Sequence, residues 1–292
     1  MAAEQLRPLD ALKTYRYLRA GMIGAVVLLA ASIGIEATKA GCLQNSISAY
    51  YYTPVRAIFV GSMFAVGLSL IVYKGRGSKE DFFLNLAGML APVVAVAPTI
   101  DVGRCYSLAP NPLPKNGDSL ANWVVKNIDN NFRALLIVGA VGLIAAFFIW
   151  LKNRSNPQGA AETERGTIGL MVGTAVALLV AWWLIDTWDD FYTLAHGYAA
   201  VLMFVFLAVA VLANAWEQRR TRGTALTKTY VAIAVLMAAG ALIPVSRIFG
   251  EHAIFTQEAY EIAVFLVYWT IQTVENWHEA IAMPVAAADA TL

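Results

Sequence analysis

Between Phe255 and His278, the residues Glu258, Glu261, Phe265, Tyr268, Gln272 and Glu275 recur at intervals of three and four. That repeat is one face of an α-helix. The residues from Ile262 to Val274 separate Glu261 from Glu275. At ~1.5 Å per residue they span about 20 Å, less than the ~30 Å hydrocarbon core of a bilayer. At least one carboxylate is therefore expected within the membrane thickness. Facing lipid would be costly there, so the seam is expected to turn inward, toward other helices or a water-filled cavity. A carboxyl so placed can exchange protons near neutral pH, which is the chemistry of a proton relay.

Two further stretches supply partners for this seam. His196 and Asn214 are 18 residues apart, five helical turns, and share a helix face. Asp81, Asn85, Gly88, Pro92 and Thr99 form a small and polar seam suited to close packing or to lining a cavity. The leading expectation is transport or permeation of a small solute or ion along a polar cavity between spans three, six and eight. It would be lined by Glu258, Glu261, Tyr268, Gln272, Glu275, His196 and Asn85, with Glu261 and His196 as the titrating residues. This reading requires no cofactor.

A second reading is a metal-dependent hydrolase of lipid or lipid-linked substrates. His196, His252 and Asp190, or the neighbouring Asp186 or Asp189, would hold a divalent metal such as zinc with a bound water. No HExxH pair occurs, and the third histidine, His278, belongs to the opposite end of the last span. A third reading is binding without turnover, in which Arg56, Arg104 and Arg247 meet a lipid headgroup or pair with Glu36, Asp101 and Glu251. No catalytic residue is assigned: Ser46 and Ser48 have no nearby histidine in sequence, and no GxSxG, phosphate loop or dinucleotide fingerprint occurs.

The elements that must position these residues follow from composition. Of 292 residues 59% are hydrophobic and 14% charged, with mean hydropathy +0.60. These values exclude an ordinary soluble chain and predict an all-α, polytopic membrane helical bundle. Eight segments are apolar enough to cross: about 17–36, 56–73, 82–100, 132–151, 167–186, 194–215, 229–248 and 255–277. The first is read as a retained span and not a signal peptide. A net charge of +1 without a basic cluster gives no reason to expect nucleic acid as a partner. Membrane lipids are the expected partners, and nothing in the sequence indicates an oligomeric one.

Sorting Lys and Arg by alternate loops places 14 on the side of both termini and 7 on the other. The positive-inside rule then makes both termini cytoplasmic in a plasma membrane. Cys42 and Cys105 fall on the same outer face, where a disulfide between them is expected. The loop from Asp101 to Asn131 is rich in turn formers and is expected to cap that face. The chain reads as one membrane domain over 1–292. A faint echo allows four-plus-four halves, 1–152 and 166–292: Tyr52, Thr53, Met63 and Phe64 recur as Tyr192, Thr193, Met203 and Phe204.

The portions SAYYYTPVRAIFVG and LNLAGMLAPVVA, within Ser46–Thr99, resemble a segment shared by uncharacterised bacterial, largely actinobacterial, multi-pass membrane proteins. The resemblance implies a bacterial plasma-membrane protein and carries no catalytic residues with it.

Overall fold

A computed structural model describes residues 2–75, 77–97, 99, 105, 117–154, 161–188, 190–217, 219, 223–242 and 250–277. Among these there are eight α-helices and no strand: α1 (Ala2–Ala40), α2 (Arg56–Val72), α3 (Ser78–Val96), α4 (Gly117–Arg154), α5 (Ala161–Thr187), α6 (Phe191–Glu217), α7 (Thr224–Leu242) and α8 (Ala253–Glu275). Short 3₁₀ turns at Ser48–Tyr52 and Gly250–His252 precede α2 and α8. Cys42 and Cys105 form a disulfide with their Cα atoms 5.8 Å apart. The loop expected over Asp101–Asn131 is shorter than that: from Gly117 the chain is already helical in α4, whose Ile128 and Phe132 are buried in the core, and residues 101–104 and 106–116, with Asp189, Arg247 and His278, lie outside the described residues.

Four helices are long and apolar enough to cross a membrane, over Lys13–Ala40, Ile128–Lys152, Thr167–Thr187 and Leu194–Glu217, and Arg56–Val72 and Thr224–Gly240 are shorter apolar helices. The bundle is thus of membrane character. α3 and α8, which carry the polar seams, do not meet the same measure. Lys79, Glu80, Asp81 and Asn85 in α3, and Gln257, Glu258, Glu261 and Gln272 in α8, offset their apolar residues. Yet α3 is the best enclosed helix, packed on α2 and α6 and touched by α4 and α5. Of its three charges the bundle buries two, Glu80 and Asp81, and leaves Lys79 exposed.

α3 reaches this central place because its backbone lies against that of α2. A Cβ built on Gly67 would stand 2.7 Å from Gly88 O, and one on Gly88 would stand 2.7 Å from Gly67 O. Glycine is required at both positions, the small-residue contact common between membrane helices. Pro92 lies inside α3 without ending it. Its missing N–H leaves the Gly88 carbonyl four residues earlier without a helical donor, and that carbonyl is the group facing Gly67.

α4 and α5 pair with each other at the periphery and touch the rest lightly. Only 6% of the apolar window of α4 and 0% of that of α5 is buried. α1 begins well before the expected start near residue 17. Around that expected start the chain is tied to the last helix: Arg16 donates to the Trp277 carbonyl at 2.6 and 3.0 Å, and Arg19 is bound to α8.

Candidate functional site

The seam on α8 faces inward as its spacing predicts, and it meets two separate polar clusters. At the disulfide end, His196 of α6 is buried, with Nδ1 2.6 Å from Ala97 O and Nε2 2.8 Å from Ser48 Oγ. Ser48 Oγ lies 2.8 Å from Glu258 Oε1. Glu258 Oε2 accepts from the backbone N–H groups of Ile47 at 2.5 Å and Ser48 at 3.4 Å. The 3₁₀ turn Ser48–Tyr52 directs Ser48 between the two helices. It is held there by Tyr52, whose hydroxyl donates to Thr99 O at 2.8 Å. Burial pushes the Tyr52 phenol well above its ordinary range, with neighbouring Tyr51 adding to the effect, so it remains a donor.

The hydrogen-bond directions limit where protons can be. A carbonyl oxygen only accepts, so His196 Nδ1 carries a hydrogen. If Ser48 donates to Glu258, Nε2 must donate to Ser48, and the pair is imidazolium and carboxylate. If Ser48 donates to Nε2, Glu258 must hold the proton, and the pair is neutral imidazole and carboxylic acid. Both forms contain the same number of protons and satisfy every contact. They differ by one proton passed through the serine hydroxyl.

This is not the geometry of a serine nucleophile. In a Ser-His-acid triad the acid orients the second imidazole nitrogen, whereas here that nitrogen is on a backbone carbonyl and the acid is on the serine. The sequence set Ser48 aside because its histidine is 148 residues away; only the close approach of α6 to the 3₁₀ turn brings them together.

At the opposite end Glu80 is fully buried. Its Oε1 accepts from Tyr268 Oη at 2.9 Å and Gln272 Nε2 at 2.5 Å, and its Oε2 from Asn214 Nδ2 at 2.6 Å. Gln272 Oε1 accepts from Arg19 Nη2 at 3.0 Å, so one amide stands between a buried guanidinium and a buried carboxylate. Arg19 also donates to Thr273 Oγ1 and Tyr15 Oη, each at 3.0 Å. Its guanidinium lies 4.8 Å from the centroid of Tyr73 and 4.7 Å from that of Trp269, within cation–π range. Neither Arg19 nor Glu80 was singled out from the sequence as a site residue. Both sit near predicted span ends, where a charge is ordinarily solvated. Glu275 accepts from Tyr230 Oη at 2.7 Å and joins α8 to α7.

Between the clusters lies a cavity of about 70 Å³. Ser48 and Glu258 line it at the relay, Ser62 and Phe59 come from α2, and Met203 and Ala200 from α6. Leu70, Leu207 and Phe265 also line it. These three belong to the core that contains Tyr268 and Trp269, and they separate the cavity from the Glu80 cluster.

The expected enclosure by spans three, six and eight is corrected here: the walls come from α1, α2, α6 and α8, with α3 contributing Val94. α3 packs closely on α2 and α6, and Gly88 lies against α2 rather than on the cavity. Asn85 is half-buried and does not line the cavity, and Asp81 is bound to Lys74 and to the Gly75 N–H. Glu261 does not line it either. It is 2% exposed, its Oε1 lies against Gly240, and neither oxygen has a hydrogen-bond partner among the described residues. It faces α7 because it sits one residue short of the cavity face defined by Glu258, Ile262 and Phe265.

The three residues proposed from the sequence as metal ligands have separate surroundings. His196 is in the relay, His252 Nδ1 lies 3.3 Å from Gln44 O, and Asp190 is exposed. Among the described residues no group of three or more His, Cys, Asp or Glu is placed to hold a metal ion. Arg56 donates to Tyr51 Oη at 2.6 Å and stacks on its ring. No family model matches this chain, and no characterised protein or solved structure is significantly similar to it.

Proposed function

We propose that this chain is an eight-span bacterial plasma-membrane protein that moves a small solute coupled to protons, with both termini cytoplasmic and the disulfide end outside. The observation that carries the reading is the relay His196–Ser48–Glu258, which holds one transferable proton beside the cavity. Glu258, not Glu261, is the carboxyl of the pathway. α3 and α8 are counted as spans because Glu80, Asp81 and Glu261 are buried in the bundle, where lipid does not meet them. The hydrolase reading finds no assembled ligand set among the described residues, and the headgroup reading finds Arg56 engaged with Tyr51.

The test is proton flux into liposomes carrying the purified protein and a trapped pH dye, under an imposed pH gradient with the voltage clamped. Glu258→Gln keeps an acceptor for the Ile47 and Ser48 amides but cannot pass a proton. It is expected to abolish the protein-dependent flux while the variant stays folded and monodisperse. His196→Gln is expected to do the same. Wild-type flux no greater than that of protein-free liposomes, or undiminished flux in Glu258→Gln, would sink the reading.

A further inference from the structure

The walls of the cavity restrict what it can hold. Apart from Ser48, Ser62 and Glu258, every lining side chain is apolar. Ser48 and Glu258 are committed to each other, to His196 and to the backbone. In both proton arrangements of the relay the charges sum to zero, so it presents no net charge to a guest. Ser62 is different: its Oγ is buried and has no hydrogen-bond partner among the described residues, although it lines the space. A buried hydroxyl left unpaired is costly, and a guest with one polar group would satisfy it.

From these observations we infer that the cavity is the binding site of a small, uncharged, mostly apolar molecule with a single hydroxyl or protonated carboxyl group, which hydrogen-bonds Ser62. A cation or anion would lose its hydration and find no net charge to replace it. Size sets a second limit. A water requires ~10–15 Å³ by this kind of measure, so the space corresponds to roughly five waters, or about as many non-hydrogen guest atoms. That such a guest is the transported substrate rests on the proton-coupled reading above. That the cavity binds it does not.

The two native cysteines are joined to each other, so an introduced thiol reports alone. Ser62→Cys in the full chain is exposed to methyl methanethiosulfonate, which is uncharged, and to its trimethylammonium-ethyl and sulfonatoethyl analogues, with labelling followed by intact mass. The uncharged reagent is expected to react at least ~10-fold faster than either charged one, because the walls offer ions no solvation. Butan-1-ol is expected to slow that labelling, and tetramethylammonium to leave it unchanged. Ala200→Cys, on the α6 wall, carries the same test if Ser62→Cys does not fold. Charged reagents reacting as fast as the neutral one, no labelling by any reagent, or no protection by butan-1-ol overturns the proposal. Selective labelling without proton flux in the wild type would retain the binding site and remove the transport reading. Flux with unselective labelling would do the reverse.

Discussion

Gln272 is the residue on which the end opposite the disulfide depends. Its amide accepts from Arg19 and donates to Glu80, so charges on α1 and α3 are satisfied through a neutral group on α8. Replacing it with leucine removes a partner from each and leaves no room for water to restore them. The expected loss is ~1–3 kcal/mol for each buried polar group left short of a partner. It is read as a fall in Tm by differential scanning fluorimetry of the protein in detergent. Thr273→Val, which removes one bond from an arginine that keeps two others, is expected to lose less. Equal Tm values for Gln272→Leu and wild type would show that the bridge contributes nothing to stability. Ser48 teaches a different lesson: its chemistry depends on which neighbour donates, which no residue type specifies.

Among the elements, α3 carries the buried Glu80 and Asp81 and packs on both α2 and α6. Glycines make this possible at two places with different tolerance. At Gly88 an added Cβ meets backbone oxygen at 2.7 Å and Ile71 Cγ1 at 2.8 Å, so α2 and α3 must separate. At Gly77 it meets Glu217 Oε2, which is the end of a flexible side chain, and the backbone there, at φ −127, is open to any residue. Gly88→Ala is therefore expected to lose ~1–3 kcal/mol as an overpacked contact does, and Gly77→Ala to lose less, both measured by thermal unfolding. The reverse order would mean that the Glu217 contact, not the α2–α3 crossing, holds the start of α3. The small-residue seam containing Gly88 was legible in the sequence as suited to close packing or to lining a cavity, and at Gly88 the first of these is realised. It brings backbones together and encloses no cavity.

For the molecule as a whole, the exposed apolar surfaces of α4 and α5 belong to a membrane setting. Val138, Val141, Phe148, Leu179 and Trp183 are more than half exposed, which in water would favour aggregation. The proposed orientation is checked through the disulfide. In intact cells a reductant that does not cross membranes is expected to free Cys42 and Cys105 for an impermeant maleimide. Labelling only after lysis would place that end inside and invert the assignment.

Composition and apolar segment lengths determined the all-helical membrane character, because a chain this apolar has few ways to satisfy its backbone away from water. The three-and-four spacing on α8 determined which of its faces is enclosed, since helical geometry links spacing to direction. The same reasoning placed His196 and Asn214 on one face of α6, and both are buried. What tertiary structure alone decided was the partners. Glu258 and Glu261 are equivalent by type and lie one turn apart. One reaches Ser48 beside a cavity, and the other lies against Gly240 with no donor among the described residues. Arg19 and Glu80 read as solvated ends of spans until four helices closed over them. These outcomes turn on contacts between residues far apart in the chain and on displacements of an ångström or two, which residue spacing within a single helix does not encode.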